Sequence, residues 1–187
     1  YVNKIISISS SYKLSTIQLL HNLEQAYILE LANDSKSRKE EYLSLARMIA
    51  HKTYISLDLL AERARGESKY IDDEMGYFLK TPQESYMMHQ GEKFIERFTI
   101  DSYKTIINAW QNFKLDEKEL KKLKGKEVLV LSVDSDVCFY PEEQTELVNI
   151  LELNNASVKY FLLHSDKGHD AFLLEPDIFF EPVSSYL

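Results

Sequence analysis

Three short apolar runs, far apart along the chain, most constrain its fold. They are residues 3–9, 127–133 and 157–163, and each is rich in Ile, Val or Leu. Near-continuous apolar strands are typical of parallel sheets that helices cover on both faces. The sequence therefore predicts an α/β fold around a small parallel sheet.

Acidic and imidazole side chains follow the second and third of these strands. Asp134 and Asp136 come directly after the second, and His169 follows the third after a short polar turn. An acid followed by a histidine is the second half of an α/β-hydrolase triad, whose chain order is Ser, Asp or Glu, His. The nucleophile motif G-x-S-x-G occurs nowhere in the sequence, and its nearest approach, residues 66–70, lacks the second glycine.

The chain opens within a strand, and three strands make a small sheet. We therefore expect the C-terminal part of an α/β-hydrolase fold, in which helices flank the parallel strands. The nucleophile serine would then lie outside this chain. The chain would be a truncation, a proteolytic product or half of a split enzyme.

Between the first two strands lies a block with helical periodicity, too long for a simple crossover. We interpret it as a helical lid inserted above the strand ends, where open α/β sheets bind ligands. The predicted divisions are residues 1–11 (core strand), 12–113 (lid) and 114–187 (the rest of the core). Helices are predicted over 12–31, 38–50, 55–65, 84–97 and 102–113, with Asp101 as an N-cap and residues 67–82 as a loop.

Composition excludes several classes of function. The chain has 30 acidic and 22 basic residues, a net charge of −8, which argues against binding to nucleic acid or anionic membranes. No apolar run approaches the roughly 18 residues needed to span a bilayer. The single cysteine, Cys138, excludes an internal disulfide and fits a reducing compartment, so we expect a cytoplasmic protein.

His169 is the candidate general base, and an aspartate would orient it. Both Asp134 and Asp136 follow the strand, and their two-residue spacing alone does not choose between them. Cys138 has no evident activating partner, which favours a packed core residue over a nucleophile. The other four histidines show no spacing typical of metal ligands, so no metal site is predicted.

Four separated segments resemble the homoserine O-acetyltransferase family. Residues 134–144 are similar to its D-S-D-x-L-F-x-P-x-x-Q segment, and residues 168–173 to its G-H-D-A/S-F-L. Residues 45–51 resemble L-A-R-M-I-G-H, and residues 85–98 resemble S-Y-L-x-Y-Q-G-x-K-F…R-F. They occur in the family's order and span most of the chain.

The resemblance implies an α/β-hydrolase fold with a helical lid and acetyl transfer from acetyl-CoA to homoserine, a step of methionine biosynthesis. Acetyl-CoA would be a co-substrate, with no permanently bound cofactor. The family alignment places the triad acid at Asp136, and implies that Asp170 contacts the acceptor amine. A homodimer through the lid is also implied. It agrees with the apolar surface of Leu20, Leu23 and Ile28, more than a thin lid can bury.

One position departs from the family pattern. Its members carry an arginine in the first lid helix that is thought to hold the substrate carboxylate, and the matching residue in this chain is Gln25. A neutral amide lacks the bidentate, charge-assisted grip of arginine. Three alternatives therefore stay open: an esterase or thioesterase, a serine O-acyltransferase of the same fold, and a non-catalytic lid or dimerisation fragment.

Overall fold

The structure, a computed structural model, describes residues 2–34, 38–66 and 81–187. In chain order the elements are β1 (Lys4–Ile8), α1 (Thr16–Asp34), α2 (Lys39–His51), α3 (Leu57–Arg63), α4 (Pro82–Ile95), α5 (Ile100–Gln111), α6 (Glu117–Lys121), β2 (Glu127–Val133), α7 (Pro141–Leu153), β3 (Ser157–Leu163), a 3₁₀ turn (Gly168–Asp170), α8 (Ala171–Leu174) and α9 (Asp177–Tyr186). Most of the loop predicted over 67–82 lies outside the described residues.

The three predicted strands are confirmed and form one parallel sheet in the order β1-β2-β3. In its register, Ile6 lies opposite Leu129, and Leu129 lies opposite Lys159. The central strand, β2, is buried from Val128 to its end. Burial on both faces explains why the run Val128–Leu131 is apolar at every position rather than alternating.

Helices supply the apolar partners of both faces of β2. On one face Leu129 and Leu131 belong to a core cluster with Phe179 of α9. On the other face Val128 and Val130 belong to a cluster with Leu147 of α7. The sheet is therefore the middle layer of an α/β arrangement, as the sequence predicts.

The described residues divide into two compact units. The sheet unit comprises the chain up to Ser15, the segment Thr53–Ser56 and Phe113–Leu187, and the helical unit is drawn from Thr16–Lys52 and Leu57–Asn112. Residues 53–56 differ from the predicted division, because they cluster with the sheet unit although their sequence position lies within the helical block. The helix predicted over 55–65 accordingly begins only at Leu57.

Capping residues explain where two helices of the helical unit begin. Thr81 precedes Pro82 of α4 and forms a capping box with Glu84. Thr99 caps α5 by accepting a hydrogen bond from the Ser102 backbone N–H at 3.2 Å. The prediction that Asp101 is this N-cap is therefore wrong: Asp101 lies in the first turn, where its charge still favours the positive end of the helix dipole.

Helix α1 of the helical unit buries part of its polar side. Gln18, Asn22 and Gln25 are buried, whereas several apolar side chains of the same helix are exposed, with Leu23 59% exposed and Tyr27 66% exposed. The core of this unit forms instead around Leu29, together with residues of α2, α4 and α5: Leu43, Ala46, Phe94, Tyr103 and Ile107.

Candidate active site

The carboxylate of Asp136 is held in the turn that follows β2. Its backbone N–H donates to the carbonyl of Val133 at 3.1 Å, and its side chain is buried. The Oδ1 atom accepts hydrogen bonds from the backbone N–H groups of Cys138 and Phe139, both at 2.8 Å. These two bonds fix the orientation of the carboxylate and leave Oδ2 for a further partner.

That partner is His169, which lies in the 3₁₀ turn after β3. Its Nδ1 is 3.1 Å from Oδ2 of Asp136. A carboxylate only accepts hydrogen bonds, so Nδ1 carries the proton and Nε2 of the neutral ring is left as the acceptor. The structure thus brings together the predicted acid and the predicted base in the geometry that a general base requires. Their catalytic roles stay a prediction.

Aromatic rings enclose the imidazole. The ring centroids of Phe139, Phe172 and Tyr54 lie 5.6, 5.7 and 6.4 Å from that of His169. The side chain of His169 is 18% exposed, and that of Asp136 is fully buried. The rings restrict the rotation of the imidazole and keep much water from the pair.

Gly168 allows the chain to reach this position. Its φ is +72°, and a Cβ atom there would lie 2.4 Å from the backbone nitrogen of Ser56. Only glycine combines a positive φ with so close an approach of two backbones. Gly168 therefore lets the loop before His169 pack against the segment Thr53–Ser56.

The segment Thr53–Ser56 is the part of the site that sequence reasoning missed. The carbonyl of Tyr54 accepts a hydrogen bond from the Asp170 backbone N–H at 2.8 Å. The hydroxyl of Ser56 donates to the carbonyl of Asp166 at 2.5 Å. These bonds hold both ends of the turn that carries His169. The only sequence signal for such a contact was the glycine next to the histidine.

The two predicted acceptor-binding residues lie in different units. Asp170 follows His169 in the sheet unit, with a half-buried side chain. Gln25 is buried within the helical unit, where its amide nitrogen donates to the carbonyl of His21 at 3.1 Å and its oxygen accepts from the hydroxyl of Tyr103. These bonds give Gln25 a structural role in joining α1 to α5, while its role in binding substrate stays a prediction.

The alternative acid, Asp134, pairs with a different histidine. Its Oδ2 is 2.6 Å from Nδ1 of His164, and its Oδ1 accepts from the Ser165 backbone N–H at 3.1 Å. Burial opposes ionisation of Asp134, but the hydrogen bonds from His164 and Ser165 outweigh it and lower the pKa of the carboxyl. The pKa of His164 is raised by the same contact.

Cys138 does not have the properties of a nucleophile. Burial and the nearby charge of Asp136 raise the pKa of its thiol to about 12. Because the thiolate is the reactive form, a thiol with this pKa is inert near neutral pH. Cys138 serves instead as a buried packing residue and supplies one of the backbone N–H groups that hold Asp136.

Two further kinds of site are absent from residues 2–34, 38–66 and 81–187. No group of three or more His, Cys, Asp or Glu side chains in these ranges is arranged to hold a metal ion. None of the helices there is long and apolar enough to cross a membrane.

Relatives of known sequence point to one family. The homoserine O-acetyltransferase of Methanococcus vannielii is 36% identical over a segment that covers 75% of this chain and 30% of that protein. The homoserine O-acetyltransferase of Methanosalsum zhilinae is 35% identical and covers 94% of this chain and 38% of its own length. The homoserine O-succinyltransferase of Neisseria meningitidis is 32% identical, with 78% and 40% covered.

Solved structures agree on the fold. The homoserine O-acetyltransferase of Bacillus anthracis superposes on 99% of this chain and 53% of its own with a TM-score of 0.84, at 14% identity. Esterase E22 has the same TM-score at 12% identity, with 100% and 54% covered. At these identities the likeness shows the fold alone, and that fold is the α/β-hydrolase fold predicted from the order of strands, acid and histidine.

The chain spans 28% to 41% of the length of the curated relatives that it matches. No protein-family model matches the sequence.

Proposed function

Because this chain belongs to the homoserine O-acetyltransferase family, we propose that it carries the acid and the base of an acyltransferase that acts on homoserine. The observation that carries this proposal is the buried Asp136–His169 pair, whose members follow two adjacent parallel strands. Such a pair leaves Nε2 of the imidazole as an acceptor for a hydroxyl proton. We further propose acetyl-CoA as the acyl donor and methionine biosynthesis as the pathway.

The reaction proposed has two steps through a seryl acyl-enzyme. A serine from outside this chain gives its proton to His169, attacks the thioester carbonyl of acetyl-CoA and expels the coenzyme thiolate, which takes the proton from the imidazolium. The hydroxyl of homoserine then gives its proton to His169 and attacks the acyl-enzyme, and the proton returns to the serine oxygen as it leaves. Asp136 stabilises the imidazolium formed in each step.

The residues that would bind the acceptor follow from the family resemblance. We propose that Asp170, next to the base, contacts the acceptor amine and that Gln25 stands in for the arginine that would hold the carboxylate. A neutral amide forms weaker hydrogen bonds with a carboxylate than a guanidinium does. If Gln25 contacts the carboxylate, the Gln25→Arg variant of the complete protein should show a KM for homoserine about tenfold lower. An unchanged KM would mean that Gln25 has only its structural role.

The central experiment gives the complete protein acetyl-CoA and homoserine and measures both thiol release and O-acetylhomoserine by mass spectrometry. Succinyl-CoA in place of acetyl-CoA tests the other donor that the names of relatives suggest, and serine in place of homoserine tests the other acceptor. Free acetate as the sole product would identify a thioesterase or esterase instead. No acyl transfer or hydrolysis with any of these substrates would leave the non-catalytic alternative.

The 187-residue chain should be inactive alone, because its sequence contains no nucleophile elbow. Robust acetyl-CoA turnover by the isolated chain, abolished by His169→Ala, would contradict that expectation and place the nucleophile within it.

We also propose that the helical unit acts as a lid and forms a homodimer contact in the cytoplasm. The exposed stripe of α1, including Leu20 and Leu23, supports a contact with a second copy. Sedimentation of the complete protein should show a dimer at micromolar concentration, and Leu23→Asp should shift it toward monomer. A monomeric wild-type protein would contradict this.

A further inference from the structure

We propose that Ser135 is a positioning residue for His169, an inference that rests on the proposed function for its kinetic consequences. The hydroxyl of Ser135 donates to the carbonyl of Ser165 at 2.5 Å and accepts from the backbone N–H of Gly168 at 3.0 Å. It therefore joins the turn after β2 to the loop that leads to the base. Both hydrogen bonds of the Ser135 hydroxyl go to backbone groups, so this side chain acts on the chemistry through His169.

The chemistry of the bridge requires a hydroxyl. Its two partners are a carbonyl and an N–H group, so the bridging group must donate and accept at once. A serine hydroxyl has one proton to donate and two lone pairs, which fits this demand. An alanine at this position would leave both partners without the bond, and the loop would move to find other partners for them.

The bridge lies where a small movement matters most. Ser135 is adjacent to Asp136, and Gly168 is adjacent to His169, so one hydroxyl ties the backbone of the acid to that of the base. The backbone of Gly168 also lies close to that of Ser56, which leaves little room for it to move in that direction. Between these two constraints, the 3.1 Å distance from Nδ1 of His169 to Oδ2 of Asp136 is maintained.

Three successive residues after β2 hold the loop, and the middle one, Ser135, is the one that bonds Gly168, the residue next to the base. Asp134 contacts Ser165, Ser135 contacts Ser165 and Gly168, and Asp136 contacts His169 itself. Removal of the Ser135 hydroxyl should therefore loosen the Nδ1–Oδ2 bond without removing either of its partners.

The test uses Ser135→Ala and Ser135→Thr in the complete protein, with two readouts. The first is the low-field proton NMR signal of the Nδ1–H of His169, which should broaden or disappear in the alanine variant and persist in the threonine variant. The second is acyl transfer: misplacement by a fraction of an ångström to 1 Å should lower kcat about 10- to 100-fold in the alanine variant with KM nearly unchanged. Threonine keeps the hydroxyl and should restore kcat to within about threefold of wild type.

His164→Gln is the matched control, because it alters the same loop without touching Gly168, and it should keep the wild-type signal. If the alanine variant does not fold, Ser135→Cys replaces it in the test. A thiol is of similar size but forms only weak hydrogen bonds, so this variant should also weaken the Nδ1–H signal of His169. A wild-type signal and a wild-type kcat in folded Ser135→Ala or Ser135→Cys would overturn the proposal. Loss of the signal and of kcat in Ser135→Thr would overturn it as well. A complete protein that transfers no acyl group but loses the signal in Ser135→Ala would contradict the proposed function and leave the positioning role standing.

Discussion

Two aspartate–histidine pairs follow the carboxyl ends of the neighbouring strands β2 and β3, and they differ far more in burial than in distance. In the buried pair, Asp136 and His169, the side chains are 0% and 18% exposed and the atoms are 3.1 Å apart. In the surface pair, Asp134 and His164, they are 37% and 90% exposed and 2.6 Å apart. The shorter distance belongs to the pair that is open to water.

The difference shows what a catalytic pair needs beyond proximity. Water screens the surface pair, and such contacts contribute little to stability or orientation. The buried carboxylate is instead fixed by the backbone of Cys138 and Phe139, and its histidine is enclosed by aromatic rings. Orientation by the surrounding fold separates a general base from an ordinary surface ion pair.

The sharpest test of this comparison exchanges each acid for its amide in the complete protein. Asp136→Asn should lower the rate of acyl transfer by roughly 10⁴-fold with the fold intact, because an amide no longer selects the imidazole tautomer or stabilises the imidazolium. Asp134→Asn, the matched control, should change the rate far less. Steady-state kinetics and circular dichroism measure both effects, and a reversed order would move the triad acid to Asp134.

The next test concerns the backbone that carries the buried pair. Gly168→Ala adds a side chain at a positive φ and against the Ser56 backbone, so it should lower the free energy of unfolding by about 2–4 kcal/mol. Gly125 has nearly the same φ, +71°, with nothing within 4 Å of the added carbon, so Gly125→Ala should cost about 1 kcal/mol of strain alone. Urea unfolding measures both. Equal losses would mean that the close approach at Gly168 relaxes without cost.

A third histidine, in the helical unit, sharpens the comparison because it is buried and its pKa shifts in the opposite direction to that of His164. Burial, with the charges of Arg47 and Arg63, lowers the pKa of His51 to about 4, and its Nε2 lies 3.0 Å from the hydroxyl of Tyr86. In the unfolded chain His51 therefore binds a proton near pH 6.5, whereas in the folded chain it stays neutral until about pH 4. The free energy of unfolding consequently falls as pH drops from about 6.5 toward 4.

The loss attributable to His51 between about pH 7 and about pH 5 should be about 2 kcal/mol. Urea unfolding of wild type and His51→Gln at both pH values measures this loss. The contribution of the carboxylates cancels in the comparison, because they titrate in both proteins. The same pH dependence in the two proteins would show that His51 accepts a proton in the folded state.

The smallest effect belongs to the surface pair. Because Asp134 raises the pKa of His164, the NMR titration midpoint of this imidazole should lie above its usual range and fall toward that range in Asp134→Asn. The attraction is complete at about pH 5.5 and is lost as pH rises through the pKa of His164. An unchanged midpoint in Asp134→Asn would show that the 2.6 Å contact does not persist in solution.

Much of the fold could be predicted from local patterns, and the exceptions have specific causes. The strands were recognisable because both faces of β2 are buried and its sequence is therefore apolar at most positions. The N-cap of α5 was misjudged, since Thr99 and Asp101 are both plausible caps. The apolar side chains of Leu20 and Leu23 on α1 are exposed, in agreement with the expectation that a thin lid does not bury them. The segment Thr53–Ser56 was missed because its partners are more than a hundred residues away in sequence.

By itself the sequence determined the chemistry available: parallel strands that end in an acid and a histidine, in the order of the α/β-hydrolase triad. The apolar pattern of a strand and the order of motifs along the chain are both properties of the linear sequence, so they can be recognised without coordinates. The spacing of Asp134 and Asp136 left the choice between them open and the family resemblance implied Asp136, but only the tertiary structure shows which aspartate faces which histidine. Asp134 and Asp136 follow the same strand two residues apart, and the choice depends on where the turn places Cys138 and Phe139 and on how closely Gly168 approaches Ser56. Several of these contacts join parts of the chain that are distant in sequence. The difference in burial between the two pairs arises only when the chain has folded and these contacts have formed.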